Sequence, residues 1–294
     1  MTSPTQERVA RLGIWRGTVT PEPLSGGLSN QNFKVIDRGE AFVVRVTGPD
    51  QPVHGLLRAH EIAASRAAHA AGLAPELVHA EDGLTVLRWV EGEPLTEARL
   101  REPAMIDRIA PLLRDCHEQV GLHVRGAAPF FWVFHSLRCY LDDLAAVGQS
   151  PRDLGDLATI SAELEQATGA IEIGFAHNDM IPGNFLDDGQ RLWLIDWEYA
   201  GYGSPLFDVA GVVIHGDLDR EGRERVYRRY YGKAPGPQAK RRYAATIAAA
   251  ALREALWAHV QVAHSALALD YAAHAKLFDD RFRAAYERFR ADAD

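Results

Sequence analysis

Cysteine is nearly missing from this chain. Cys116 and Cys139 are the only two in 294 residues, and neither falls in a paired metal-ligand spacing. That leaves no disulfide framework or structural zinc site to expect, and it is the usage of a reduced, cytoplasmic protein. A surplus of positive charge is missing too. Lys and Arg total 32 against 40 Asp and Glu, a net charge of −8. A general nucleic-acid binder needs a basic surface to displace counterions, so no nucleic-acid partner is expected. Long apolar runs are absent: the best candidate, Ala244 to Leu252, runs into Arg253-Glu254, far short of a membrane span. Met1 to Trp15 carries charges where a signal peptide needs an apolar core, so no leader is expected. Neither the Walker phosphate loop nor the dinucleotide glycine fingerprint occurs, which removes two nucleotide folds. What remains is 47% hydrophobic and 24% charged, an ordinary globular balance with length for one large domain or two modest ones.

The first ninety residues read as strands and turns around one helix. Phe33 to Ile36 and Ala41 to Val46 are β-rich runs joined at Asp37-Arg38-Gly39, the pattern of a hairpin. A helix from roughly Gly55 to Ala71 follows, closed by Gly72. Leu77 to Ala80 and Thr85 to Trp89 form a second strand pair across Glu81-Asp82-Gly83. From Pro94 helical periodicity takes over, broken mainly between 175 and 200, with turn clusters at Gly92, Gly148 to Pro151 and Gly232 to Pro237. The expectation is a small β-rich lobe, 1–91, and a large helical lobe, 92–294.

The chemistry concentrates between His177 and Asp196. His177-Asn178-Asp179 stands on a loop after an extended Phe175-Ala176. Pro182-Gly183 keeps that loop from becoming helix, so Asn184 turns back toward the same cleft. Asp188-Gly189 is a hairpin turn, and Arg191 to Ile195 a strand that delivers Asp196 at its end. Any one of these Asn or Asp residues is most simply a turn former. Two acids and a carboxamide in this order are what phosphoryl transfer from a magnesium nucleotide requires: one acid for the acceptor hydroxyl, an amide oxygen and a second acid for the metal. In the first lobe, Gly26-Gly27-Leu28-Ser29-Asn30 is a turn whose glycines let backbone N–H groups approach phosphates. Arg45 ends a strand where a cation would touch nucleotide phosphates and pair with Glu61 on the next helix. Leu87 to Gly92, with Trp89 and Glu91, reads as a hinge whose backbone would hydrogen-bond adenine.

His177-Asn178-Asp179-x4-Asn184, then Ile195-Asp196-Trp197-Glu198-Tyr199 and Phe207-Asp208, resembles the choline/ethanolamine kinase branch of the aminoglycoside-phosphotransferase-like kinases. The opening segment from Leu24 to Val35, with Gly26, Gly27, Ser29, Asn30 and Asn32, is similar to the bacterial members, and the match runs collinearly to the helix around Trp257. The resemblance implies an α+β, two-lobed protein-kinase-like fold using ATP and Mg²⁺. It makes Asp179 the catalytic base, Asn184 and Asp196 magnesium ligands, His177 an orienting residue, and Asp208 a buttress of the catalytic loop. Members of the family also carry Arg at the Arg45 position.

The acceptor pocket falls to the C-terminal third. The resemblance places Trp257 on a cation pocket, where a ring face would attract a quaternary ammonium. One turn earlier this chain has Glu254 where animal choline kinases carry a second aromatic, so ethanolamine or another amino alcohol stays open. Glu198, Tyr199 and Tyr271 are further candidates for the pocket wall. Phe130 to Phe134 is expected in the core, and His117, His123 and His135 are read as ordinary. The reading is a cytoplasmic kinase of a small cationic amino alcohol, choline first, with ethanolamine, thiamine, an amino sugar or an aminoglycoside as alternatives. A non-catalytic nucleotide-binding protein on the same fold is the alternative of a different class.

Overall fold

The computed structural model describes residues 3–24, 30–47, 58–148, 154–265 and 270–291. The chain opens with α1 (Pro4–Ala10), which the sequence reading does not anticipate. Ser3 and Gln6 cap it reciprocally, and Val9 is buried against the sheet. Strands β1 (Glu22–Leu24), β2 (Asn30–Asp37), β3 (Glu40–Thr47), β4 (Leu77–Glu81) and β5 (Leu84–Arg88) pair antiparallel in the order β1-β2-β3-β5-β4. The expected β2–β3 hairpin forms with a loop of two residues, since Asp37 pairs with Glu40: Arg38 and Gly39 both have positive φ, which matches the twist of the flanking strands. Alternation sends Phe33, Val35, Phe42, Val44 and Val86 into a small core. The opposite face carries Asn32, Arg45 and Thr85, paired in one row.

Helix α2 (Arg58–Ala70) crosses between β3 and β4 and ends at Gly72, whose φ is +77°. The predicted start at Gly55 lies outside the described residues. Its Ala64, Ala67 and Ala68 join the large core rather than the sheet core. After Gly92, β6 (Glu93–Pro94) pairs with β8 (Phe185–Asp187), which pairs with β9 (Leu192–Leu194), so the chain leaving the first lobe is sewn onto the 177–196 segment. A Cβ at Gly92 would sit 3.1 Å from the Asp187 carbonyl oxygen, tighter than most side chains accept, so glycine eases this approach.

The rest is helical. α3 (Glu97–Leu100) and α4 (Pro103–Asp115) lead into a π turn, Cys116–Val120, and α5 (Gly121–His123). α6 (Val133–Ala146) and α7 (Leu154–Thr168) come next, and β7 (Gly174–Ala176) pairs with β10 (Gly201–Gly203). α8 (Pro205–Gly216) is buried on every side, as a sequence apolar but for Asp208 and His215 requires. α9 (Arg220–Tyr231), α10 (Pro237–His264) and α11 (Tyr271–Ala291) complete the lobe. Phe134 is fully buried as expected, but Phe130 is 57% exposed. It precedes α6 and bridges Tyr202 through its backbone, so its ring turns outward. Val260 is in the core while His264, four residues on, is exposed.

Candidate active site

Asp208, in the first turn of α8 and fully buried, organises the loop that follows β7. Its Oδ2 accepts the His177 backbone N–H at 2.8 Å, and its Oδ1 accepts that of Asn178 at 2.7 Å. The π turn after α4 brings His117 Nε2 to 2.9 Å from the same carboxylate. Since the Asp208 carboxylate accepts, Nε2 donates to it, and Nδ1 lies 2.7 Å from the Tyr230 hydroxyl. Cys116, His117 and Asp208 lie close enough together to suggest a metal centre. Each is already satisfied within the protein: the Cys116 thiol donates to the Phe175 carbonyl at 3.7 Å, and burial pushes its pKa well up. The cluster is a clamp on the loop, and spacing in the sequence gives no sign of His117 in it.

The clamp holds a strained backbone. Asn178 has φ +64°, a left-handed conformation rare outside glycine, and its Nδ2 donates to the carbonyls of Ala176 at 3.3 Å and Tyr199 at 3.0 Å. Asp196 has φ +66°. His177 is buried, its pKa lowered by burial. Its Nε2 donates to the Ile195 carbonyl at 2.9 Å, and its ring packs 4.7 Å from that of Trp197. It ties the loop to the end of β9. Close packing of the loop on α8 depends on Gly211, where a Cβ would lie 2.9 Å from that of Met180.

Asp179 emerges half-buried from this frame. Pro182–Asn184 forms one 3₁₀ turn, started by the proline, and it returns Asn184 so that Nδ2 donates to the Asp179 carboxylate and carbonyl, both at 2.9 Å. That leaves the Asn184 carboxamide oxygen facing away from Asp179. The Ile195 N–H donates to the Asn184 carbonyl at 3.0 Å, which sets Asn184 and Asp196 at the same end of the β8–β9 hairpin. Burial pushes the Asp179 pKa up to about 7, Glu254 and Asp196 adding to it against the pull of Arg253 and the Asn184 hydrogen bond.

From the sheet, Arg45 reaches across to the same place. Its Nη1 is 2.8 Å from Asp196 Oδ1 and 3.7 Å from Glu61 Oε1, and its Nη2 is 4.0 Å from Glu198 Oε2. Burial would lower its pKa, but the three acids raise it. Glu61 is also paired with Arg58, and burial raises its own pKa. Glu198, expected on the acceptor wall, thus has its carboxylate on Arg45. Burial and then the charge of Asp196 push its pKa up to about 8. Asn32 stands beside Arg45 in register. Trp89 and Glu91 follow β5: the Trp89 backbone N–H donates to the Ala41 carbonyl at 3.0 Å, and Lys34 Nζ lies 3.9 Å over the Trp89 ring and 3.9 Å from Glu91. Gly26, Gly27, Ser29 and the side chain of Asn30 lie outside the described residues.

Behind Asp179 opens a pocket lined by Asn178, Asp179, Met180, His215, Ala250 and Glu254, among others. Glu254 is nearly fully buried and paired with its neighbour Arg253, with His215 Nε2 at 3.9 Å and His274 Nε2 at 3.8 Å. Burial alone would raise its pKa, yet Arg253 and the histidines hold it at about 2. Burial pushes His215 down to about 4. The Arg253 guanidinium lies 4.8 Å over the ring of Tyr199, a contact the sequence reading misses. Trp257, one turn beyond Glu254, is half-buried and meets Tyr271 edge to face at 6.0 Å.

A family model described as choline/ethanolamine kinase matches residues 22–224. The protein LicA of Haemophilus influenzae is 28% identical over 203 residues, 68% of this chain and 59% of LicA. A probable ethanolamine kinase of Arabidopsis thaliana is 29% identical over 206 residues, 64% of this chain and 54% of that one. The chain thus spans little more than half the length of these two relatives. A crystal structure of a choline/ethanolamine kinase family protein from Mesorhizobium loti superposes with a TM-score of 0.76 at 26% identity, covering 98% of this chain and 97% of that one. Among the described residues, no helix is long and apolar enough to cross a membrane.

Proposed function

The chain belongs to the choline/ethanolamine kinase family, and from its site geometry we propose that it transfers the γ-phosphoryl group of ATP to the hydroxyl of a small amino alcohol. One observation carries the reading. Arg45 of the sheet lobe meets Asp196 of the helical lobe at 2.8 Å, at the hairpin end from which Asn184 holds Asp179. The groups that phosphoryl transfer needs therefore converge from both lobes on one cleft.

The donor set fits magnesium. The Asp196 carboxylate and the Asn184 amide oxygen are hard ligands, and the Glu198 carboxyl group adds further oxygen donors at the same guanidinium. Asn184 and Asp196 would hold magnesium, which would supply positive charge to offset that of the transferring phosphoryl group. Arg45 binds the phosphates beside it. Asp179, with one oxygen held by Asn184, aligns the acceptor hydroxyl and takes its proton as the O–P bond forms and ADP leaves. His177 and Asp208 keep that carboxylate in place. The same reading assigns the nucleotide to residues 1–91 and the acceptor to 92–294, in a cytoplasmic enzyme.

Choline and ethanolamine both fall within the proposal, and the names of the relatives span both activities. Trp257 favours choline, the alcohol the sequence ranks first. A coupled ADP-release assay across choline, ethanolamine, thiamine and several amino sugars tests the reading, and an amino alcohol should turn over best. A neutral sugar turning over best would refute it. Asp179→Asn should lower kcat by a factor of about 10² to 10⁴, the usual worth of a positioned base, while ATP binding is nearly unchanged.

A further inference from the structure

Arg253 is a buried cation one residue from Glu254, which lines the pocket behind Asp179. It is 3% exposed, its Nη1 is paired with the Glu254 carboxylate, and its guanidinium plate lies 4.8 Å over the Tyr199 ring. Glu254 lines the pocket with Asp179. Arg253 thus already holds two of the features that would bind an ammonium ion there: a carboxylate and an aromatic face.

The two kinds of acceptor do not suffer equally from this. A quaternary ammonium has no N–H to donate, so it depends on aromatic faces and unbalanced negative charge. With Tyr199 covered and Glu254 neutralised, it keeps Trp257 and Tyr271, which meet edge to face at 6.0 Å. A primary ammonium has three donors and can use oxygens that the arginine does not occupy. Glu254 Oε2 is one: its ion-pair contact with His274 Nε2 is 3.8 Å long, outside hydrogen-bonding distance.

We infer that Arg253 sets the acceptor preference of this enzyme, toward a primary ammonium and away from a quaternary one. The inference rests on the proposal that the acceptor lies against Asp179, and it reverses the order in which the sequence ranks ethanolamine and choline. Arg253 reaches the pocket through Glu254 and covers the ring of Tyr199, so it is a positioning residue.

The wild-type protein with Mg²⁺-ATP gives the first test. Across ethanolamine, its N-methyl and N,N-dimethyl derivatives and choline, kcat/KM should fall at each methylation, about tenfold or more overall. Arg253→Met removes the charge at similar length. It should raise the choline-to-ethanolamine ratio of kcat/KM about tenfold, mainly through KM for choline. Arg253→Lys, which keeps the charge and loses the planar fork, should fall between. A kcat/KM that rises with methylation in the wild type overturns the inference, as does an unchanged ratio in a folded Met variant. If the variants do not fold, the wild-type series decides. Choline turning over best would end this inference and leave the kinase proposal standing; no turnover of any member would end the proposal itself.

Discussion

At the residue scale, one carboxylate does the work of several loop contacts. Asp208 accepts two consecutive backbone N–H groups and one imidazole in a fully buried site. Replacing it by Asn keeps the volume, removes the charge and turns an NH₂ toward at least one donor. The cost should be about 3 kcal/mol, the scale of a buried charge-assisted hydrogen bond plus an unsatisfied donor. Asp208→Asn should therefore melt several degrees lower and lose kcat; wild-type kcat in a stably folded variant would show that the clamp is dispensable. His215 makes a second prediction. Its pKa is about 4 in the folded protein and about 6.5 in the unfolded chain. Between those values the unfolded chain binds more protons, so stability is unaffected above pH 6.5 and falls as pH drops toward 4, by about 1.4 kcal/mol per unit. Glu254, held at about 2, adds acid sensitivity only below its unfolded value of about 4.3. His215→Gln should flatten the dependence of urea midpoints between pH 6.5 and 4.5; an unaltered slope would assign it to other groups. Neither His117 nor His215 is visible as functional in the sequence, because their partners lie 91 and 39 residues away and only packing brings them together.

At the element scale, legibility follows how local the determining chemistry is. The β2–β3 hairpin, the Gly72 stop and the β8–β9 turn are written in adjacent residues. At the last, Asp188 Oδ1 accepts the N–H groups of Gln190 and Arg191, and Gly189 takes φ +85°. The pairing of β6 with β8 is not legible, since it joins residues about ninety positions apart through the close approach at Gly92. Nor is the way the hairpin is pinned. Asp187, on β8, accepts both Nη groups of Arg108 on α4 at 2.8 Å and Arg99 at 3.2 Å, and the Arg108 bonds above all lower its pKa to about 2. The folded value lies below the unfolded one of about 3.9, so this contribution is complete above pH 4 and lost as pH falls through 2. Asp187→Asn should cost about 1.5–3 kcal/mol at neutral pH, and the deficit should shrink toward pH 2 as the wild type loses the same interaction. A pH-independent deficit would point to packing instead of charge. Because the hairpin also positions Asn184 and Asp196, kcat should fall with stability.

At the scale of the whole molecule, a division into two lobes at residue 91 describes the chain's course better than its cores. Helix α2 comes early in the sequence, between strands of the sheet. Its alanine face, Ala64, Ala67 and Ala68, packs in the same core as Ile109, Leu113 and Phe185. Its Glu61 holds Arg45 of the sheet, and the residues just after the helix receive bonds from the β8–β9 hairpin: the Leu194 N–H donates to the Leu73 carbonyl at 2.9 Å, and Arg191 Nη1 to that of Gly72 at 3.2 Å. The sequence gives the helix but not its allegiance, because an alanine-rich face packs equally well on a sheet or on other helices. Two consequences follow. The small sheet core alone is too slight to unfold independently, so thermal and urea unfolding followed by far-ultraviolet circular dichroism and tryptophan fluorescence should coincide in one transition. Ligand that engages Arg45 and Asp196 together should stabilise both lobes at once. Mg²⁺-ATP at a hundred times its Kd should then raise the unfolding free energy by about 2.7 kcal/mol without splitting the transition. Two separated transitions, with only the earlier one moved by nucleotide, would show that α2 does not couple the lobes and that the site closes on a sheet lobe free to unfold by itself.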